Sequence, residues 1–250
     1  MPRSNCAFSI LRLGFIAVFL GGVLGGCSSW YNRKAPPPPT EYPLSTPYGA
    51  VRTFAIGPTV NLSPSHDFDP MTISDAMFAE MQQVGGLNIL PVNKTLIAMQ
   101  RLGMRSIESA RDAQQLARVM GADGIIIPAV TAYDPYRPPS LGMTVQLYTA
   151  HTLMARSQVE ARRIDGTVVA TAVELEVDEQ QPVSQVAAVF NSRNQTVLRE
   201  LRDFTAGRTE YTSALQDEKF IDDMDQYTRF VCHAMVRRLI DVERSRLSDR

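Results

Sequence analysis

Four consecutive prolines, Pro36 to Pro39, with Pro43 and Pro47 close behind, divide the chain into two unequal parts. Proline lacks the backbone N–H that helices and ladders need, so such a run enters neither a helix interior nor a central strand. It favours an extended polyproline rod. The run reads as a spacer ahead of a folded part. The earlier part is short and dominated by one apolar run. The later part is long enough to bury a sizeable core without disulfides or metals. Hydrophobic residues make up 44% and charged residues 20% of the 250-residue chain, ordinary globular usage that excludes wholesale disorder.

Residues 1–26 read as an export signal. Arg3 and Arg12 supply positive charge, and Leu13 to Leu24 is uncharged and apolar. That run is shorter than the roughly 20 residues a spanning helix needs. It ends in Leu24-Gly25-Gly26-Cys27, which resembles the lipobox of bacterial lipoproteins. The resemblance implies cleavage before Cys27 and acylation of its sulfur and new amino group. An ordinary signal peptide or an uncleaved anchor with an incidental cysteine is the alternative. Each buried CH2 of a lipid chain contributes about 0.8 kcal/mol, so several chains on Cys27 would anchor stably in a membrane. Residues 27–49 then form a lipidated, proline-rich tether. Ser28 follows the cysteine, and by the same resemblance this implies the outer membrane, facing the periplasm. Cleavage removes Arg3, Arg12 and Cys6 and no acid. It leaves Cys232 without a disulfide partner, most simply as a buried thiol. Three cysteines are too few for a disulfide framework or a cysteine-rich zinc site. A formal net charge of -1 excludes a generally basic nucleic-acid binder.

Residues 50–250 read as a single α/β domain. Val51 to Val60 predicts a strand and Asn61 to Pro70 a loop. Ile73, Met77, Met81 and Val84 then form one stripe of a helix over 71–84, stopped by Gly85-Gly86. Leu87 to Val92 predicts a strand. Asn93 is placed as N-cap of a helix carrying Leu96, Met99 and Leu102. Ser106 is placed as cap of the next, with Ala110, Ala113, Leu116, Ala117 and Met120 inward and Gly121 at its end. Gly124 to Ala132 is the most apolar strand, although Pro128 implies an edge or a bulge there. Met143, Val145 and Leu147 alternate in another strand. Val159 to Ile164 and Thr167 to Val177 flank Asp165-Gly166, a strong hairpin signal. The stretch 181–216 reads as an insertion, a solvated excursion with a polar helix near 194–205. A long last helix over 218–246 carries Phe220, Met224, Tyr227, Val231, Met235, Leu239 and Val242.

This order predicts a mixed sheet with helices packed on it, α/β or α+β in class, behind a lipidated tether and closed by a long C-terminal helix. Phe54-Ala55-Ile56-Gly57-Pro58, Asn88-Ile89-Leu90-Pro91-Val92 and Gly121-Ala122-Asp123-Gly124-Ile125-Ile126-Ile127 carry a resemblance to the curli-type secretion lipoproteins and the amino-terminal domain of TolB. It covers 50–135 well and 155–180 loosely. Pro128 departs from it, standing where that group usually has glycine.

Chemistry-bearing motifs are sparse. His66, Asp67 and Asp69 fall in one loop, yet they lack zinc spacing and the full calcium-loop pattern; an Asx-Pro turn with an N-cap is the plainer account. Cys232 and His233 are adjacent, and neighbours on a helix point about 100° apart, poorly placed as nucleophile and base. No phosphate loop, nucleophile elbow or dinucleotide fingerprint occurs. Tyr133 to Pro139 stands out, with two tyrosines, an arginine and three prolines directly after the apolar strand. Tyr133, Tyr136 and Arg137 are candidate interface residues on a stiff loop. The same loop could equally pack on its own domain, Tyr133 above all. The sequence thus points to a non-enzymatic, lipid-anchored envelope accessory protein, without cofactor, metal or nucleic acid. It would act through contacts with envelope proteins or further copies of itself, in export or envelope assembly. A metal- or ligand-binding protein or enzyme using the His66 loop is the alternative.

Overall fold

The computed structural model describes residues 44–150, 158–164, 167–173, 181–206, 208 and 218–248. The signal segment, Cys27, the proline run and the Asp165-Gly166 pair lie outside them. In chain order the described elements are β1 (Arg52–Ile56), β2 (Val60–Asn61), α1 (Pro70–Met81), β3 (Leu87–Leu90), α2 (Val92–Arg101), α3 (Ala110–Val119), β4 (Gly124–Asp134), β5 (Ser140–Thr149), β6 (Gln158–Ile164), β7 (Thr167–Val173), β8 (Ser184–Asn191), α4 (Gln195–Thr205), α5 (Glu218–Asp222) and α6 (Met224–Ser248).

The sheet runs β3-β1-β4-β5-β8, with β2 beside β4 beyond the end of β1. Strands β3, β1 and β4 are parallel, and β5 is antiparallel to both β4 and β8. It is the expected mixed sheet with helices packed on it. Successive side chains on a strand alternate faces. Phe54, Ile56, Ile126, Val130, Leu141, Met143, Val145 and Leu147 enter the larger core with α1, α4 and α6, while Ala55, Ile125, Ile127 and Tyr148 meet α2 and α3. Two helices cover only part of this second face, and on β8 its residues Gln185, Ala187 and Val189 are exposed. Strands β6 and β7 form a separate two-stranded ladder in the register expected of a hairpin, Ile164 opposite Thr167.

Helix α1 begins as its loop dictates: Asp69 caps it by accepting from the Met71 N–H at 2.9 Å, and Pro70 stands in the first turn, where no N–H is needed. Ile73, Met77, Met81 and Val84 are buried, as their spacing requires. Gly86 ends this stretch at φ +84°, a left-handed conformation suited to glycine.

Several expectations are corrected. Helix α2 starts at Val92 behind Pro91, not behind Asn93, and buries Val92, Thr95, Ala98 and Met99 while Leu96 is exposed. The cap of α3 is Ser109, not Ser106; its hydroxyl accepts from the Asp112 N–H while Asp112 accepts from the Ser109 N–H, a reciprocal capping box. Pro128 makes neither an edge nor a bulge. The carbonyls of Ile126 and Val130 accept from Gly57 and Leu62, so even-numbered β4 residues turn their backbone groups toward β1 and β2. Pro128 therefore faces the gap between β1 and β2, where a missing N–H breaks no ladder bond. The bulge lies instead between Val130 and Ala132.

The stretch 181–216 is no solvated excursion where it is described: β8 extends the sheet, and α4 buries Val197, Leu201 and Phe204 in the larger core. The last helix is two, α5 and α6, broken at Asp223, whose carboxylate accepts from the Asp225 N–H at 2.9 Å. The tether does not run free up to residue 49. Leu44 accepts from the Gly85 N–H at 2.7 Å, the Thr46 N–H donates to Gly85 at 3.1 Å, and the Tyr48 ring packs edge-on against Phe54.

Gly142 faces the bulge. A Cβ there would sit 2.7 Å from Thr131 Oγ1 and 3.0 Å from the Ala132 Cβ. Gly142→Ala is therefore expected to cost about 1–3 kcal/mol, the range for overpacking a filled site. A thermal or denaturant unfolding curve reads this, and an unchanged midpoint would show that the bulge yields freely.

Candidate functional site

Strand β4 ends in the loop singled out for its tyrosines. Tyr133 turns inward and stacks on Phe68, with ring centroids 4.6 Å apart. Burial, then the Asp225 and Asp67 charges, push its hydroxyl above the ordinary tyrosine value. Tyr136 points outward and is 76% exposed, while its N–H donates to the Asp134 carboxylate at 3.1 Å. Arg137 pairs with Asp222 at 2.7 Å, with both side chains largely in solvent. Pro139 accepts from the Ser192 N–H at 3.1 Å, fastening the loop to the end of β8. The three candidate residues thus separate: Tyr133 is internal packing, Arg137 bridges to α5, and Tyr136 stands free.

The Phe68–Tyr133 stack joins this loop to the His66 loop. Within the latter, the Ser65 hydroxyl lies 3.4 Å from the Asp67 carboxylate and accepts from its N–H, and Asp69 is occupied in capping α1. His66 is exposed. Among the described residues no three His, Cys, Asp or Glu side chains gather as metal ligands. Asp67 and Asp225 lie near Tyr133, Asp134 accepts from the Tyr136 N–H, and Asp222 is paired with Arg137.

Cys232 and His233 diverge as their spacing predicts. Cys232 is buried with its sulfur 4.0 Å from the Ile73 carbonyl; burial, then the Glu80 charge, push its thiol far above the ordinary value. His233 turns to Glu80 at 3.1 Å.

Two buried carboxylates organise the rest, and neither was foreseen. Glu80, fully buried, meets His233 at 3.1 Å, Arg208 at 3.4 Å and Arg229 at 3.9 Å. At the other end of α6, Glu243 accepts from the Tyr48 hydroxyl at 2.5 Å, from the Ser184 hydroxyl, and from Arg246 at 2.6 and 2.8 Å. Burial drives both carboxyls upward. The hydrogen bond from His233 and the nearby cations at Glu80, and the bonds from Arg246, Ser184 and Tyr48 at Glu243, outweigh it and leave both below the ordinary carboxylate range. Each stands beside the residue that continues the apolar stripe, Glu80 before Met81 and Glu243 after Val242, so hydropathy gave no signal for either.

No protein-family model matches the sequence, and comparison with curated proteins gives no match. Among solved structures, the chain is similar to the C-terminal domain of LpoB from Salmonella enterica at 13% identity and TM-score 0.36, over 57% of this chain and 84% of that one. It is similar to lipoprotein GNA1162 from Neisseria meningitidis at 14% identity and TM-score 0.37, over 63% and 95%. A PelC dodecamer from Paraburkholderia phytofirmans matches at 18% identity and TM-score 0.28, over 42% and 66%. Likenesses this distant carry no functional argument, and what this chain does has to be argued from its own residues.

A group whose folded pKa is depressed contributes stability that is complete above its unfolded pKa, about 4.3 for Glu, and lost as pH falls through the folded value. Unfolding midpoints are therefore expected to fall steeply below about pH 4.3, and less steeply in Glu243→Gln, which no longer titrates there. Tyr48→Phe should cost about 1–2 kcal/mol and speed proteolysis between residues 44 and 50, because one donor to a buried carboxylate is lost. Unchanged stability and cleavage in Tyr48→Phe would show that the hydrogen bond contributes nothing.

Proposed function

We propose that the protein is a lipid-anchored accessory protein of the bacterial cell envelope, acting through protein–protein contacts in export or envelope assembly and not by catalysis. The observation that carries this reading is the lipobox-like Leu24-Gly25-Gly26-Cys27, followed by a proline-rich spacer and then a packed domain. Ser28 after the cysteine supports the outer membrane, on its periplasmic side.

The geometry of the domain suits that role. The chain enters beside Gly85, at the end of the sheet where β1, β3 and β4 all begin. The tyrosine loop leaves the other end of β4. Eleven strand residues separate the two ends by about 33 Å at the usual rise per residue. Within the domain, Tyr136 therefore lies at the end of the sheet opposite to the one where the chain enters.

Two measurements test the reading. Cys27→Ser should abolish lipid labelling and leave the protein with its signal uncleaved or lost from the membrane fraction; normal processing and fractionation would refute the anchor. Tyr136→Ala with Arg137→Ala should weaken recovery of envelope partners, since truncating a central anchor costs about 2 kcal/mol or more. The unfolding midpoint should change little, because both side chains are mostly exposed. A drop of several degrees with partners retained would mean that the loop only packs on its own domain.

A further inference from the structure

The outer flank of β8 is unusual for the margin of a sheet. Exposed edge strands invite pairing with other chains, and proteins normally blunt them with charges, prolines, bulges or brevity. Strand β8, Ser-Gln-Val-Ala-Ala-Val-Phe-Asn, has no charge and no proline. It pairs with β5 over eight consecutive positions without a register shift. Its one neighbour among the described strands is β5. The opposite edge is blunted: β3 is four residues long and is followed at once by Pro91.

The ladder shows which groups are free. The Ser192 N–H donates to the Pro139 carbonyl, continuing the β5–β8 register by one pair. In an antiparallel ladder, bonded positions alternate. Even-numbered β8 residues therefore bond β5, and the N–H and C=O groups of Gln185, Ala187 and Val189 point to the open flank. The side chains of the same three residues lie on the uncovered face, Val189 being 64% exposed.

We propose that β8 pairs antiparallel with β8 of a second copy of this chain, about a twofold axis through Ala187. The register is self-complementary. Ala187 stands opposite Ala187 of the second copy, and Gln185 opposite Val189 in both directions. All three pairs are of the bonded kind, giving six backbone hydrogen bonds. Each side chain stays on its own face, as a twofold normal to the sheet requires. The central position is alanine, so nothing obstructs close approach. No like charges meet, because β8 has none. The pairing continues two six-stranded sheets into one and satisfies the edge that would otherwise invite uncontrolled association. Confinement by a lipid anchor would raise the effective concentration of copies, but the pairing does not depend on the anchor and is tested without assuming it.

The test uses the full-length protein purified in detergent. Sedimentation should show a concentration-dependent dimer. In a bonded antiparallel pair the Cα atoms lie about 5.5 Å apart, within disulfide reach. In a background with Cys6 and Cys27 both replaced by Ser, Ala187→Cys should thus give an oxidised dimer, whereas Tyr136→Cys and that background alone should not. Ala187→Lys places two like charges face to face and should weaken association several-fold, with an unfolding midpoint unchanged at concentrations where both chains are monomeric. The proposal is overturned if the protein is monomeric at every concentration. It is equally overturned by a dimer that Ala187→Lys leaves intact and Ala187→Cys does not link, or by a monomer whose edge takes up the strand of a different protein.

Discussion

One carboxylate holds three distant pieces of this chain together. Glu243 lies 195 residues from Tyr48 and 59 from Ser184, yet both hydroxyls donate to it, and Arg246 grips it from the next turn of α6. Taking a carboxylate out of water is costly unless its lone pairs are filled and a cation sits beside it. Here both conditions hold, and the consequence is positional. The end of α6, the first residue of β8 and the chain entering from the proline segment are brought to one point at the end of the sheet. Besides that point the entry segment is held by the Tyr48 ring on Phe54, by Leu44 against the larger core, by its backbone bonds to Gly85 and by Arg244 on the Ser45 carbonyl.

Glu80 does the corresponding work at the start of α6. It ties α1 to His233 and Arg229, and to Arg208 beyond α4, beneath a ring contact between Phe204 and His233. The two carboxylates thus bracket a 25-residue helix whose apolar side fills the larger core. An ionic contact at each end fixes the rotation and the axial position of α6, which apolar packing alone specifies loosely because hydrophobic contacts are not directional.

The sequence made the apolar skeleton legible and the polar exceptions obscure. Ile73, Met77, Met81 and Val84 announce α1, and Ile125, Ile126 and Ile127 a strand buried on both faces, because burial and periodicity are local. Capping was partly legible. Ser109 with Asp112 three residues on is a capping-box pattern, and Ser106 is not. Asn93 misled because a good cap residue followed Pro91, which itself had already set the chain for a helix start at Val92. Pro128 misled differently. Its cost depends on which side of the strand its ring faces, and that is decided by the length of β1 and the start of β2, not by anything within β4.

Glu243 shows why the remainder could not be read. The stripe Val231, Met235, Leu239 continues to position 242 or 243, since 3.6 residues per turn falls between three and four. Hydropathy chooses Val242, and by local rules that choice is sound. The structure leaves Val242 38% exposed and buries Glu243. What reverses the choice is a tyrosine in the tether and a serine opening β8, neither of which has any local reason to lie near the end of α6. The same holds for the loop after β4. Its composition marked it as unusual, but which tyrosine turns inward depends on Phe68, sixty-odd residues earlier in the chain, supplying the ring beneath Tyr133. A side chain's role became unreadable wherever it was set by a single long-range polar or aromatic partner, and those partners are the ones that give this domain its two distinct ends.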